Sequence, residues 1–274
     1  MTTGISQSEA DATAGIVPLL ADCYLAILRG VDRPDVGLTE GPHFVSGRTP
    51  VAVPDFNRIM LRTVTADPSE AEIDGVLAEL DGVSALSCWL PPGGGSADLL
   101  PRFASRGFTG GEGHGVPTMW VETDSLEASA LPGGVTIELV VTREAADLFT
   151  RVALDGFGAP HTFEPPMADL FRSLATRVDS TARMFLARLD GRPVATSLNA
   201  VSGEAVGIYN VATLPDARGR GIGRAVTLAA VLDGRDRGAR RAVLEASEMG
   251  FPVYERLGFT EAARYVVLSR RTGA

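Results

Sequence analysis

The sequence predicts a mixed α/β protein made of two similar units in tandem, on three observations. Strand-like and helix-like apolar patterns alternate along the whole chain. A breaker-rich stretch, Ser125 to Gly134, divides the chain near its middle with small residues, a Pro and two Gly. Finally, Phe103-Ala104-Ser105-Arg106-Gly107-Phe108 answers Tyr254-Glu255-Arg256-Leu257-Gly258-Phe259. Both segments stop a helix at Gly and begin a strand with Phe.

In the first unit, Ile16 to Leu28 reads as a helix and Phe56 to Val64 as a strand. Ser69 to Leu80 is a helix, Val83 to Leu90 a strand, Ala97 to Ser105 a helix and His114 to Val121 a strand. In the second, Val135 to Val141 alternates as a strand does, and Glu144 to Leu154 places Ala145, Leu148, Phe149 and Val152 at helical spacing. A further helix spans Pro166 to Arg177. Arg183 to Leu189 and Val194 to Ala200 flank Asp190-Gly191-Arg192, a hairpin turn built on Asp-Gly. Val206 to Leu214 is an apolar strand that leads through a glycine-rich loop into a helix ending near Arg237. Arg241 to Ala246 is a strand, Pro252 to Arg256 a short helix and Ala262 to Ser269 the last strand.

The 274 residues are 45% hydrophobic and 22% charged, ordinary values for a globular protein. No apolar run reaches the ~20 residues that span a bilayer, and the polar, acidic Met1 to Ala14 is unlike a signal peptide. The expected compartment is the cytoplasm, with no membrane partner. Cys23 and Cys88 make no disulfide framework, and three histidines give no metal-ligand cluster. All 25 basic residues are arginine. Residues 1–126 hold 7 Arg against 17 acidic residues, a balance of −10, whereas residues 127–274 balance at +1. The acidic first half argues against a nucleic-acid partner. The second half has arginines to spare for a phosphate-bearing ligand.

Those arginines concentrate in Arg218-Gly219-Arg220-Gly221-Ile222-Gly223-Arg224, between the strand at 206–214 and the helix that follows. Glycines at a strand-to-helix turn leave backbone N–H groups uncovered, and the helix start adds partial positive charge, so the turn suits phosphate oxygens. It is not a P-loop, which needs Gly-Lys-Ser/Thr, nor a G-x-G-x-x-G fingerprint, because Arg224 stands at the last position. It fits R-x-x-G-x-G at Arg218, Gly221 and Gly223. This resembles the pyrophosphate signature of the GNAT superfamily of N-acetyltransferases, and Tyr254 to Phe259 resembles that family's Y-x-x-x-G-F ending.

The resemblance implies an α/β (α+β mixed sheet) fold: two GNAT-like domains in tandem, each a central, mostly antiparallel mixed sheet flanked by helices. Residues 1–126 are expected to be a degenerate copy without the coenzyme motif, 127–134 a linker and 135–274 the catalytic domain. In the first copy, Thr65-Ala66-Asp67-Pro68-Ser69-Glu70 stands where the arginine-glycine loop stands, and Phe103 replaces Tyr254. The implied co-substrate is acetyl-CoA, with no metal, held by Arg218, Gly219, Arg220, Gly221, Ile222, Gly223 and Arg224. Backbone N–H groups of Val211, Ala212 or Thr213 serve the oxyanion. Ser247, where the family often has Asn, holds the pantetheine arm or caps a helix. Tyr254 protonates the leaving thiolate, since a phenol of pKa about 10 can give a proton to a thiolate of about 8.5 or above.

The general base stays open at this level. Glu245 lies on the strand beside the coenzyme path, Asn210 is close but is no base, and Asp155, His161 and Glu164 lie in the helical segment expected to border the acceptor. The expected acceptor is a small-molecule or peptide amine, and the apolar Gly156 to His161 segment leans toward a small or partly apolar one over a polycation. A non-catalytic acyl-CoA-binding or sensing module is the alternative, and an interaction scaffold a third reading. Whether the two units stand in for a GNAT dimer within a monomer is also left open.

Overall fold

The twelve strands form a single sheet rather than two, because the last strand of each half lies beside the other half's strands. The structure, a computed structural model, describes residues 7–111, 113, 115–177 and 180–272. His114, expected to open a strand, and the first six residues lie outside them.

Chain order is α1 (Gln7–Arg29), β1 (Gly37–Glu40), β2 (Phe44–Arg48), β3 (Arg58–Leu61), α2 (Glu70–Glu79), β4 (Ala85–Leu90), α3 (Gly94–Ala104), β5 (Thr109–Gly110) and β6 (Val116–Glu122). It continues as β7 (Val135–Leu139), α4 (Arg143–Phe157), α5 (Glu164–Ala175), β8 (Ala182–Leu189), β9 (Arg192–Ser202), β10 (Ala205–Thr213), α6 (Ile222–Asp236), β11 (Arg241–Glu245), α7 (Phe251–Leu257) and β12 (Thr260–Arg271). The expected elements are present, most with ends shifted by a few residues, while α1 begins at Gln7, nine residues before the expected Ile16. The short strands β1 and β2 were not expected, because four or five residues interrupted by Gly, Ser and Thr carry too little alternation to stand out. Asp190 and Gly191 both have positive φ, +50° and +82°, the turn that matches the twist of β8 and β9.

Strand order is β1-β2-β3-β4-β12-β6-β11-β10-β9-β8-β7, with β5 paired to β12. The pairs β3/β4 and β10/β11 are parallel and the rest antiparallel. Read from the centre outward, the order is nearly palindromic. β12 pairs with β4, β6 pairs with β11, and β6 and β12 pair with each other, Tyr265 opposite Val116.

Helices cover both faces. On one, Leu20 and Leu25 of α1 share a core with Phe149 of α4, Phe171 of α5 and the sheet residues Trp89, Leu198, Val243 and Tyr265. Behind the other, α6 and α7 pack over one cluster and α2 and α3 over a second. Alternation along a strand sorts the faces: Val243 looks to the first core, Ala242 and Leu244 to the second. The helix α1 of the first half therefore lies on the second half's strands. Its approach is close at Gly207, where a Cβ atom would sit 2.7 Å from that of Cys23.

The exchange gives a direct expectation. A fragment of residues 127–274 lacks β6, so β11 and β12 lose the strand between them and expose two edges. Expressed alone it should aggregate or lack a cooperative melt by circular dichroism; a monodisperse, cooperatively melting fragment would show that β6 is dispensable.

Candidate functional site

After β10 the chain turns through Pro215–Ala217 and reaches α6 across the arginine-glycine loop. Gly219 and Gly221 adopt φ of +74° and +76°, where a side chain would strain the backbone. Gly221 is the N-cap of α6; no side chain caps it, and no acid lies in the first turn. The first N–H groups of α6 and the positive end of its dipole are thus open to an anion. The side chains of the loop divide. Arg220 is exposed and has no hydrogen bond or ion pair among the described residues, while Arg224 donates to Ser129 Oγ at 3.1 Å. Arg218 turns inward: Nη2 donates to the Gly156 carbonyl at 2.8 Å and Nε to that of Thr213 at 3.1 Å. It staples the loop to the end of α4.

Beside the loop, the parallel pairing of β10 with β11 stops at Ile208 and Leu244. Past that point Asn210 takes φ +49°, rare for a non-glycine residue, and the register against β9 shifts between Tyr209 and Ala212. The bulge opens β10 away from β11. Of the three expected oxyanion donors, Val211 lies in the bulge and lines the adjoining cavity. Ala212 and Thr213 pair with Thr196 and Ala195 of β9.

That cavity, ≈620 Å³, is walled by both halves. From the second half come Val211, Glu245, Ser247 and Tyr254; from the first come Tyr24, Phe56, Arg58 and Trp89. Tyr254 is held by the glycine stop of α7, where Gly258 has φ +101° and Phe259 N–H donates to the Tyr254 carbonyl at 3.0 Å. Its ring is buried against Phe259, and burial pushes the phenol up to about 12. Ser247 Oγ accepts from Gly250 N–H at 3.1 Å, fixing the turn into α7.

Glu245 is not alone. Arg58 Nη1 donates to its Oε1 at 2.8 Å, and both side chains are only 9% exposed. The guanidinium also donates from Nε to the Asp55 carbonyl, and lies 4.4 Å from the Trp89 ring and 5.5 Å from that of Tyr24. Burial works against its charge, but the Glu245 and Asp55 carboxylates outweigh that and hold Arg58 above the ordinary arginine range. Sequence reasoning missed this residue. The signal was there: an arginine opens a four-residue strand that is buried throughout. Tyr209, also on the cavity wall, has a sealed hydroxyl without a partner among the described residues. Burial, then the neighbouring Cys23 and Glu245, keep it protonated.

Comparison with known proteins converges on this same half. Residues 124–249 match the family model described as an acetyltransferase (GNAT) domain. That stretch resembles a GNAT acetyltransferase domain. Two curated relatives are mycothiol acetyltransferases. That of Thermomonospora curvata is 31% identical over 148 residues, 52% of this chain and 50% of its own length. That of Cellulomonas flavigena is 31% identical over 151 residues, 50% and 43% respectively. The chain thus spans about half the length of the curated relatives it matches. Similar solved structures share the fold across the whole chain. A GCN5-related N-acetyltransferase from Kribbella flavida has a TM-score of 0.63 at 21% identity, covering 98% of each chain. A tandem GNAT protein from the clavulanic acid biosynthesis pathway has a TM-score of 0.57 at 14% identity, covering 98% of this chain and 96% of its own.

The first half repeats local geometry of the second without its open helix end. Phe108 N–H donates to the Phe103 carbonyl at 3.2 Å, as Phe259 does to Tyr254, and the Phe103 and Phe108 rings meet at 5.3 Å. At α2, however, a capping box closes the terminus. Ser69 Oγ accepts from Glu72 N–H, and the Glu72 carboxylate accepts from Ser69 N–H at 2.8 Å. Glu70 and Glu72 in that turn place negative charge where α6 has none.

The remaining base candidates stand outside the cavity. His161 is exposed, with Nδ1 3.1 Å from Glu164 and Nε2 2.8 Å from Asp155, and none of the three lines the wall. The hydrogen bonds to Glu164 and Asp155 raise the imidazole above its ordinary 6.5. A raised pKa stabilises the fold below the unfolded value, and the contribution is lost as pH climbs through the folded one. NMR titration should place the His161 midpoint above 6.5, and the Tm difference between the parent and His161→Ala should shrink from pH 5.5 to pH 9. A midpoint at or below 6.5 would dissolve the cluster.

Proposed function

We propose that this protein is an acetyl-CoA-dependent N-acetyltransferase acting on a primary amine. One observation supports the reading: Val211 in the bulge of β10, Glu245, Ser247 and Tyr254 line one cavity, and β10 leads from it to the open, glycine-capped end of α6. The pyrophosphate lies on the N–H groups of Gly221 to Arg224, with Arg220 free to reach it. Arg218 supports the loop from behind. The pantetheine arm follows the gap between β10 and β11, and Ser247 orders the turn at its side.

The amine nitrogen attacks the thioester carbonyl carbon. The Val211 N–H receives the developing oxyanion, with Ala212 and Thr213 extending the same strand. As the tetrahedral carbon collapses, the C–S bond breaks and the electron pair leaves on sulfur. Tyr254, kept protonated by burial, donates a hydrogen bond to the thiolate and then its proton. Glu245 takes the proton that the amine gives up. The dry cleft raises the thiol's own affinity for a proton, which brings the donor and acceptor closer in strength. Residues 1–126 act as a degenerate GNAT-like copy, residues 127–134 as the linker and residues 135–274 as the catalytic unit.

Thiol release from acetyl-CoA over an amine panel tests this. A mycothiol-type amine belongs in the panel, because two relatives are mycothiol acetyltransferases. CoA binding without thiol release on any amine would favour a sensor instead. Tyr254→Phe should lower kcat by about 100-fold with CoA affinity kept; an unchanged kcat removes the acid role. Gly221→Asp should abolish CoA binding by calorimetry, because it puts a carboxylate on a strained position at the phosphate. Normal binding by that variant would move the coenzyme elsewhere.

A further inference from the structure

We infer that the acceptor is a hydrophobic primary amine with no anionic group, and that Arg58 positions Glu245 to receive it. The inference rests on the acetyl-transfer reading and deepens it.

Among the described residues, the charges on the cavity wall are one arginine, Arg58, and three carboxylates, Asp55, Glu245 and Glu248. The arginine is already engaged, by Glu245 Oε1 at Nη1 and by the Asp55 carbonyl at Nε, and its face lies over Trp89. An acceptor carboxylate would enter among three negative charges with no free cation among the described residues to meet it. An amine meets the reverse. Glu245 lines the cavity, and its second carboxylate oxygen accepts no hydrogen bond from the described residues. Most of the remaining wall is apolar, with Ile27 and Val31 of α1, Phe56 before β3, and Met167, Leu170 and Phe171 of α5, beside the neutral polar groups of Thr49, Asn210, Ser247 and three tyrosines, Tyr24, Tyr209 and Tyr254. The hydroxyls of a sugar would lose water against the apolar side chains, whereas a ring or alkyl chain gains by burial there. A space of ≈620 Å³ holds a single-ring or short alkyl body beside the acetyl group.

Arg58 acts through Glu245 and is a positioning residue. It comes from β3 of the first half and Glu245 from β11 of the second. Held by one oxygen, the carboxylate presents the other at a fixed place.

The test uses the full chain. Calorimetry with CoA present, and kcat/KM from thiol release, should rank 2-phenylethylamine and hexylamine about 50-fold or more above glutamate and glucosamine. A preference for either of those two overturns the acceptor class. Arg58→Met should raise the KM for 2-phenylethylamine about 10-fold or more with CoA affinity unchanged, and Arg58→Lys should restore part of the loss. An amine KM equal to the parent's in Arg58→Met overturns the positioning role. The parent's amine ranking needs no variant and is read from binding without turnover. A parent that bound amines in this order but not CoA would overturn the acetyl-transfer reading alone.

Discussion

At the middle of the sheet β6 and β12 run antiparallel, each also bonded to a strand of the opposite half. Every other arrangement that matters passes through that pair. It sets β4 and β11 on either side, two strands apart. It places the buried Tyr265 of β12 against Trp89 of β4, with ring centroids 6.0 Å apart. It also carries α1 onto β9 and β10, so that the first half supplies a wall to a cavity whose floor belongs to the second. The apolar core on that face draws residues from both halves, so neither half can keep it alone.

The functional end of the molecule depends on two helix starts treated in opposite ways. At α2 the chain satisfies its own donors, with Ser69 and Glu72 closing the turn. At α6 a glycine cap leaves them unmet. The cost of unmet donors is small where solvent reaches them and is recovered when an anion arrives. The cavity wall follows the other logic. Arg58 and Glu245 are withdrawn from water, so their charges cannot be left unpaired, and they lock one half to the other. An ion pair at this burial fixes position more than it adds stability.

Most of the second half was legible in the sequence because its signals are local. Ala145, Leu148, Phe149 and Val152 repeat at helical spacing; Asp190-Gly191 turns a hairpin; Gly221 and Gly223 mark a loop that needs bare backbone. The exchange of β6 and β12 was not legible. A strand's alternation says which face is buried, not which neighbour it bonds, so Val116–Glu122 reads the same beside either partner. The Arg58–Glu245 pair was hidden for a related reason, since 187 residues separate the two. Arg218 shows the limit of a motif: its spacing fits a phosphate ligand, while its guanidinium spans backbone carbonyls on β10 and α4.

In an assembly of separate subunits, trading an edge strand makes the fold depend on concentration, and dilution undoes it. Here donor and recipient strands are joined through Ser125–Gly134, so each meets its partner at an effective concentration set by the tether and independent of dilution. The joined chain also frees the palindromic sheet from symmetry. In a true two-fold dimer any substitution appears twice, whereas here Tyr254 can stand on one side and Phe103 on the other. One side can then be shaped for an incoming ligand while its counterpart is shaped to hold the sheet.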